Sequence, residues 1–156
     1  MAEAATNKAA RSTGDAQTAS KREQLIQGLQ DDLAREYKAI IQYVIFSQKI
    51  DTAQYMEIAE QLEKHAHQEL DHALAVSRQL DYFGAYPTHE PKPVDVSEDN
   101  KEMLWIDLRA EDETVRNYRA RIRQAEELGE FALAEVLQEI VKEEQDHQID
   151  LATALG

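Results

Sequence analysis

A chain of 156 residues is long enough to bury one substantial core and too short for two. It has no cysteine, which excludes disulfides, thiolate catalysis and any zinc or iron–sulfur site built on sulfur. Its formal net charge of −14 sets the body against nucleic-acid binding and makes cations the natural partners.

Residues 1–20, rich in Ala, Thr, Ser and Lys around Gly14, hold too few apolar side chains to bury and are expected to form a flexible tail. The folded domain is expected over 21–156. Nothing in the tail resembles a signal peptide and no later run approaches a membrane span, so the reading is a soluble, cytoplasmic protein with no membrane partner. From about Ser20 the residues Leu25, Leu29, Leu33, Ile40, Ile41, Val44 and Ile45 recur at helical spacing and predict a first helix to about Ile50. Asp51 and Thr52 offer caps for a second helix over about 52–82, which Gly84 stops. The stretch GAYPTHEPKPVDVSEDN holds every proline and is the one long connection. Ser97 is expected to start a third helix running to about Glu127, and Gly129 turns the chain into a fourth that runs almost to the end. Short, long and short connections give an all-α fold, a four-helix bundle of two helical hairpins joined by a long crossover.

Sliding the sequence against itself by 75 positions aligns Leu29 with Leu104, Asp32 with Asp107, Glu36 with Glu111 and Tyr43 with Tyr118. It also aligns Leu62 with Leu137, Glu69 with Glu144 and His72 with His147. The halves thus read as two copies of one hairpin. In each copy a glutamate (Glu36, Glu111) lies 33 residues before an E-x-x-H unit, Glu69 to His72 and Glu144 to His147. A spacing of three puts Glu and His on one helix face. An isolated Glu or His on such a helix is usually just solvated, but the repetition of the whole set favours a site. Four buried carboxylates would repel one another and raise their own pKa values, and two divalent cations would cancel their charge. Carboxylate oxygens with one imidazole per metal suit iron or manganese better than a soft-ligand metal, although zinc would also bind.

The order Glu, E-x-x-H, Glu, E-x-x-H on four helices resembles the ferritin-like di-iron carboxylate pattern, and within that superfamily the chain looks most like the bacterioferritins. EYKAIIQY, HAHQELDHA, EDNKEMLWIDLRAE and IVKEEQDHQID carry the likeness, which spans roughly residues 20–152. The resemblance implies a ferroxidase that oxidises Fe(II) with O2 or H2O2 at a centre of two iron ions per subunit and stores Fe(III) in an oligomeric cage. Glu36 and Glu111 would be terminal ligands, Glu69 and Glu144 bridges, and His72 and His147 would bind one iron each. Tyr43 matches a tyrosine beside the centre, with Tyr118 its repeat partner; a satisfied core hydroxyl and a redox role both stay open for them. Gln68 and Glu143 are candidates to hold the opposite imidazoles. His65, one turn before Glu69, is either an accessory ligand or entry-site residue or, more commonly at such a position, a helix-surface histidine. His67 and His89 are assigned no role.

Leu70 stands where bacterioferritins place the methionine that binds haem, so haem is not expected. A homo-oligomer of 12 or 24 subunits is the expectation, but the sequence ends nine residues after His147, without the short fifth helix of the 24-subunit cage, which counts against 24 and leaves a 12-subunit cage or a smaller oligomer open. Two further readings stay open. A rubrerythrin-type peroxidase is disfavoured by the missing cysteines and by Thr114 in place of an additional glutamate. A DNA-protecting miniferritin would use Lys8, Arg11, Lys21 and Arg22 in the tail, but its iron usually lies between subunits.

Overall fold

In the computed structural model four long helices, α1 (Ala2–Lys49), α2 (Met56–Tyr82), α3 (Asn100–Glu127) and α4 (Phe131–Leu155), account for the regular structure among the described residues, together with a 3-10 turn at Ala53–Tyr55. The structure describes residues 2–156, with side chains from residue 14 onward. The buried positions of α2 (Ile58, Leu62, His65, Glu69, His72, Val76 and Leu80) fall three or four apart, as do Leu133, Leu137, Ile140, Glu144, His147 and Leu151 of α4. Each is one stripe of an amphipathic helix, and Glu and His occupy stripe positions that leucines hold elsewhere.

The crossover fixes the topology. Thr88 N donates to Gln30 Oε1, Lys92 N to Ala34 O and Asp95 N to Gln42 Oε1, while Asn100 reaches Asp51. The connection therefore runs beside the C-terminal part of α1, from Gln30 onward, and delivers α3 to the far end. Pairs such as Gln42–Asp107 and Asp32–Arg121 show α3 antiparallel to α1, and Gln61–Asp150 and His72–Glu143 show α4 antiparallel to α2.

Several boundaries differ from the sequence reading. Helix α1 does not begin near Ser20 but is continuous from Ala2, because an alanine-rich segment without proline propagates cheaply from a helix already anchored by packing. Residues 14–20 are helical and exposed; the rest of the expected tail lies, as to its side chains, outside the described residues. Thr52 precedes the 3-10 turn and makes no side-chain cap bond. Helix α3 is capped by Asp99 rather than Ser97: Asp99 Oδ1 accepts from Glu102 N at 2.7 Å, and Ser97 Oγ accepts from Asp99 N. Asp99→Ala is expected to cost about 1 kcal/mol, seen as a melting temperature lower by roughly 2–4 °C for a domain of this size. Gly84, with φ +76°, ends α2 in a turn where Ala85 N donates to Leu80 O, a conformation that favours glycine.

The core is in two parts. One holds Leu25, Leu29, Leu33, Val76, Leu80, Leu133 and Leu137; the other holds Phe46, Ile58, Leu62, Met103, Leu104 and Leu151. Between them lies a polar layer.

Candidate metal centre

Every helix contributes to that layer. Glu36 comes from α1, Glu69 and His72 from α2, Glu111 from α3, and Glu144 and His147 from α4, and none of the six is more than 3% exposed. Their ligand atoms form two groups, each within 4.8 Å: Glu36, Glu69, His72 and Glu144, and Glu69, Glu111, Glu144 and His147. Glu69 and Glu144 belong to both. His72 Nδ1 lies 3.2 Å from Glu69, 3.3 Å from Glu144 and 3.6 Å from Glu36. His147 Nδ1 lies 3.0 Å from Glu69, 3.2 Å from Glu144 and 3.6 Å from Glu111. The two arrangements are related by the 75-residue repeat.

The far nitrogens are held across the bundle. His72 Nε2 meets a Glu143 carboxylate oxygen at 3.0 Å and His147 Nε2 meets Gln68 Oε1 at 3.0 Å, so each imidazole presents Nδ1 to the centre. Tyr43 donates its hydroxyl to Glu111, and Tyr118 donates to Glu36. These reciprocal bonds fix the outer carboxylates, and burial together with Glu111 and Glu36 raises the two phenols well above 10.

Charges close together in a buried layer perturb one another. Burial raises Glu36 and Glu111 well above the usual carboxylate range, and Glu69 and Glu144 add to it. Burial also works against charge on Glu69, but its bonds to Glu36, His147 and His72 overcome this and hold it low. For the imidazoles burial lowers, but the facing carboxylates reverse it: His147 is raised to about 12 and His72 moves the same way.

The donor set fits a pair of divalent cations. Glu36 Oε2, Glu69 Oε1, both oxygens of Glu144 and His147 Nδ1 are buried without an aligned hydrogen-bond partner, although the charged contacts above lie within ion-pair distance. Buried polar atoms left so are costly, and a cation that accepts their lone pairs removes the cost.

His65 departs from the expected helix-surface histidine. It is 2% exposed and stacks on His147 with ring centroids 3.9 Å apart, while its Nε2 meets Asp150 at 3.1 Å. Burial and the neighbouring His147 lower it to about 4, so it is neutral. Its repeat counterpart is Ile140, so this feature is one-sided. Asp32, Gln42 and Asp107, all buried beside the centre, were given no role by the sequence reading. Their signal was available: Asp32 and Asp107 pair in the repeat and each lies one helical turn before an outer glutamate.

A ferritin-like domain model matches residues 26–156. A bacterioferritin of Brucella melitensis biotype 1 is 23% identical over 139 residues, covering 85% of this chain and 86% of that one. Among solved structures, a ferritin-like, diiron-carboxylate protein of Bacillus anthracis str. Ames superposes with a TM-score of 0.84 at 31% identity, covering 87% of this chain and 98% of the other. The bacterioferritin of Rhodobacter capsulatus, described with a metal-free dinuclear site and a haem iron, gives a TM-score of 0.78 at 21% identity, over 85% and 84% of the two chains. With its four-helix bundle, its repeated Glu and E-x-x-H ligand set and a family model matched over most of its length, the chain belongs to the ferritin-like family.

Proposed function

We propose that the protein oxidises Fe(II) at a di-iron centre formed within one chain and stores the Fe(III) in a homo-oligomeric cage. The observation that carries this is the pair of four-ligand groups sharing Glu69 and Glu144. The description of the Bacillus anthracis relative as a diiron-carboxylate protein supports two irons. Glu36 and Glu111 would serve as outer ligands, Glu69 and Glu144 would be shared by both irons, and His72 and His147 would hold one iron each.

Iron in such a site supplies one-electron redox chemistry. Two Fe(II) give up one electron each, and O2 takes both with two protons and leaves as H2O2, or H2O2 takes both with two protons and leaves as two waters. The protein's part is to bind and orient. Gln68 and Glu143 fix the imidazole rings, Tyr43 and Tyr118 fix the outer carboxylates, and the apolar clusters above and below exclude bulk water. Carboxylate ligands favour the ferric state and so drive the oxidation.

Thr114, the position of the rubrerythrin-type glutamate, offers only a hydroxyl. On the face shared by α1 and α2, Val44 and Leu70 are about half exposed and line one groove. This apolar surface supports association with further copies, and Leu70 carries no donor for haem iron. Lys21 and Arg22 pair with Glu127 and Glu130 on the bundle, which leaves them less available to a polyanion. No helix among the described residues is long and apolar enough to cross a membrane.

The test is stepwise aerobic Fe(II) addition with iron per chain and particle mass read together on size exclusion with light scattering. Tens of irons per chain on a large particle are expected. A plateau near two per chain, as one dinuclear centre gives, would overturn storage and leave a di-iron oxidase.

A further inference from the structure

The repeat makes the two outer aspartates counterparts, and the structure treats them oppositely. Asp32 is locked: Arg121 Nε donates to Oδ2 at 2.7 Å and Arg35 Nη2 to Oδ1 at 2.6 Å. The guanidinium of Arg121 occupies the place a side chain at residue 28 would take, since a Cβ on Gly28 would collide with it. In the other half, the repeat counterparts of Arg121 and Gly28 are Phe46 and Met103, both apolar and buried. Asp107 therefore has no arginine. Gln42 Nε2 donates to its Oδ1 at 3.0 Å, and its Oδ2 has no partner although the residue is only 2% exposed.

Oδ2 is itself buried, but the residue borders open space. A cavity of about 410 Å³ lies between α1, the crossover and α3, and Asp107 lines it together with Gln42, Tyr43, Glu69 and Glu111. Water needs about 30 Å³, so the space holds a cation with much of its hydration shell. At the outer end the Lys38–Asp95 pair, with Asp95 61% exposed, stands at solvent; at the inner end are the carboxylates that the His147-side group uses. The cavity thus joins solvent to one of the two metal positions, past a buried carboxylate with a spare lone pair.

We propose that this cavity is the entry route for a divalent cation and that Asp107 is a transfer site, binding the incoming ion before Glu111 and Glu69 take it. The inference rests on the metal-centre reading above. Partner carboxylates already neutralise the cavity's basic residues: Arg35 pairs with Asp32, Lys38 with Asp95 and Lys92 with Asp31, so they leave little barrier to a cation. Burial raises Asp107 to about 8, with Gln42 lowering it, Glu69 raising it and Lys38 lowering it. An arriving cation takes the place of that proton, as metals do at the groups they bind.

Anaerobic Co(II) loading, followed by the d–d absorption of bound Co(II) in a stopped-flow instrument and by equilibrium titration of the full chain, separates route from site. Asp107→Asn keeps the shape and the acceptor for Gln42 and is expected to slow loading by roughly tenfold, while the equilibrium affinity stays within about twofold. Thr114→Phe, which narrows the same cavity, is expected to slow loading as well. Glu139→Gln, at the pocket beside His72 between α2 and α4, is expected to leave the rate unchanged. The route is overturned if Asp107→Asn loads at the wild-type rate, if its rate and affinity fall in equal proportion, or if Glu139→Gln is the variant that slows. Wild-type protein that takes up no Co(II) would overturn the metal centre itself and the route with it.

Discussion

Glu69→Ala is expected to abolish fast Fe(II) oxidation, lowering the initial rate by at least ~100-fold, because removing a hydrogen-bonded neighbour of a ligand already costs 10–100-fold and this change removes a donor to both metal positions. Glu69 belongs to both ligand groups and contacts both imidazoles, so no other single ligand except Glu144 disturbs the centre as widely. Its carboxylate contributes nothing to the apolar clusters on either side, and the helical circular dichroism is expected to persist. Oxidation would be followed by the absorbance of Fe(III) after mixing with O2 or H2O2. Wild-type kinetics in a folded variant would remove Glu69, and with it the shared-ligand arrangement, from the reaction.

The second large effect is on stability and its dependence on pH. In the metal-free protein His147 holds its proton to about 12 against an ordinary value of 6.5, because Glu111, Glu144 and Glu69 outweigh the effect of burial; His72 shifts the same way. Glu36, Glu111 and Asp107 are also raised, chiefly by burial. A folded state that binds more protons than the unfolded chain loses stability as pH rises. The imidazole contribution is complete below about 6.5 and declines as pH climbs toward the folded values. The glutamates begin to lose theirs above about 4.5. His65 acts in the opposite sense, but only between about 4 and 6.5. Above that window every one of these shifts has one sign, so the metal-free melting temperature is expected to fall from about pH 6.5 to about pH 9. Divalent metal displaces the same protons and reverses the trend. At a free Co(II) concentration 100 times its dissociation constant the stabilisation is about 2.7 kcal/mol, a rise of roughly 5–10 °C for a domain of this size. A metal-free melting temperature that is flat or rising over that pH range would contradict the charge assignment.

The helices, the long crossover and the six clustered residues were legible because each left a periodic or repeated mark. Leucines at helical spacing set the buried stripes, prolines confined to 87–93 marked the crossover, and the 75-residue repeat singled out six Glu and His from many. What escaped had no such mark. Alanine and lysine before residue 20 carry helix propensity without apolar periodicity, so the extension of α1 was invisible to a reading of stripes. His65 looks like a surface residue until α4 lays His147 and Asp150 against it, a contact 85 residues away in sequence for the aspartate. The different fates of Asp32 and Asp107 depend on Arg121 reaching across to α1, which spacing within one helix cannot show.

Each hairpin supplies three residues to one of the two candidate ligand groups and a single glutamate to the other. One hairpin alone completes neither group, but two copies of the same hairpin would complete both, so the smallest inheritable unit of the centre is half this chain. A symmetric pair of hairpins, however, is bound by its twofold axis to have both outer aspartates locked or both free, and both imidazoles held by the same partner. Joining the copies covalently lifts that constraint. Residue 121 could become arginine while residue 46 stayed phenylalanine, and residue 143 could be glutamate while residue 68 is glutamine. Two copies joined in one chain thereby give a nearly symmetric cluster a front and a back.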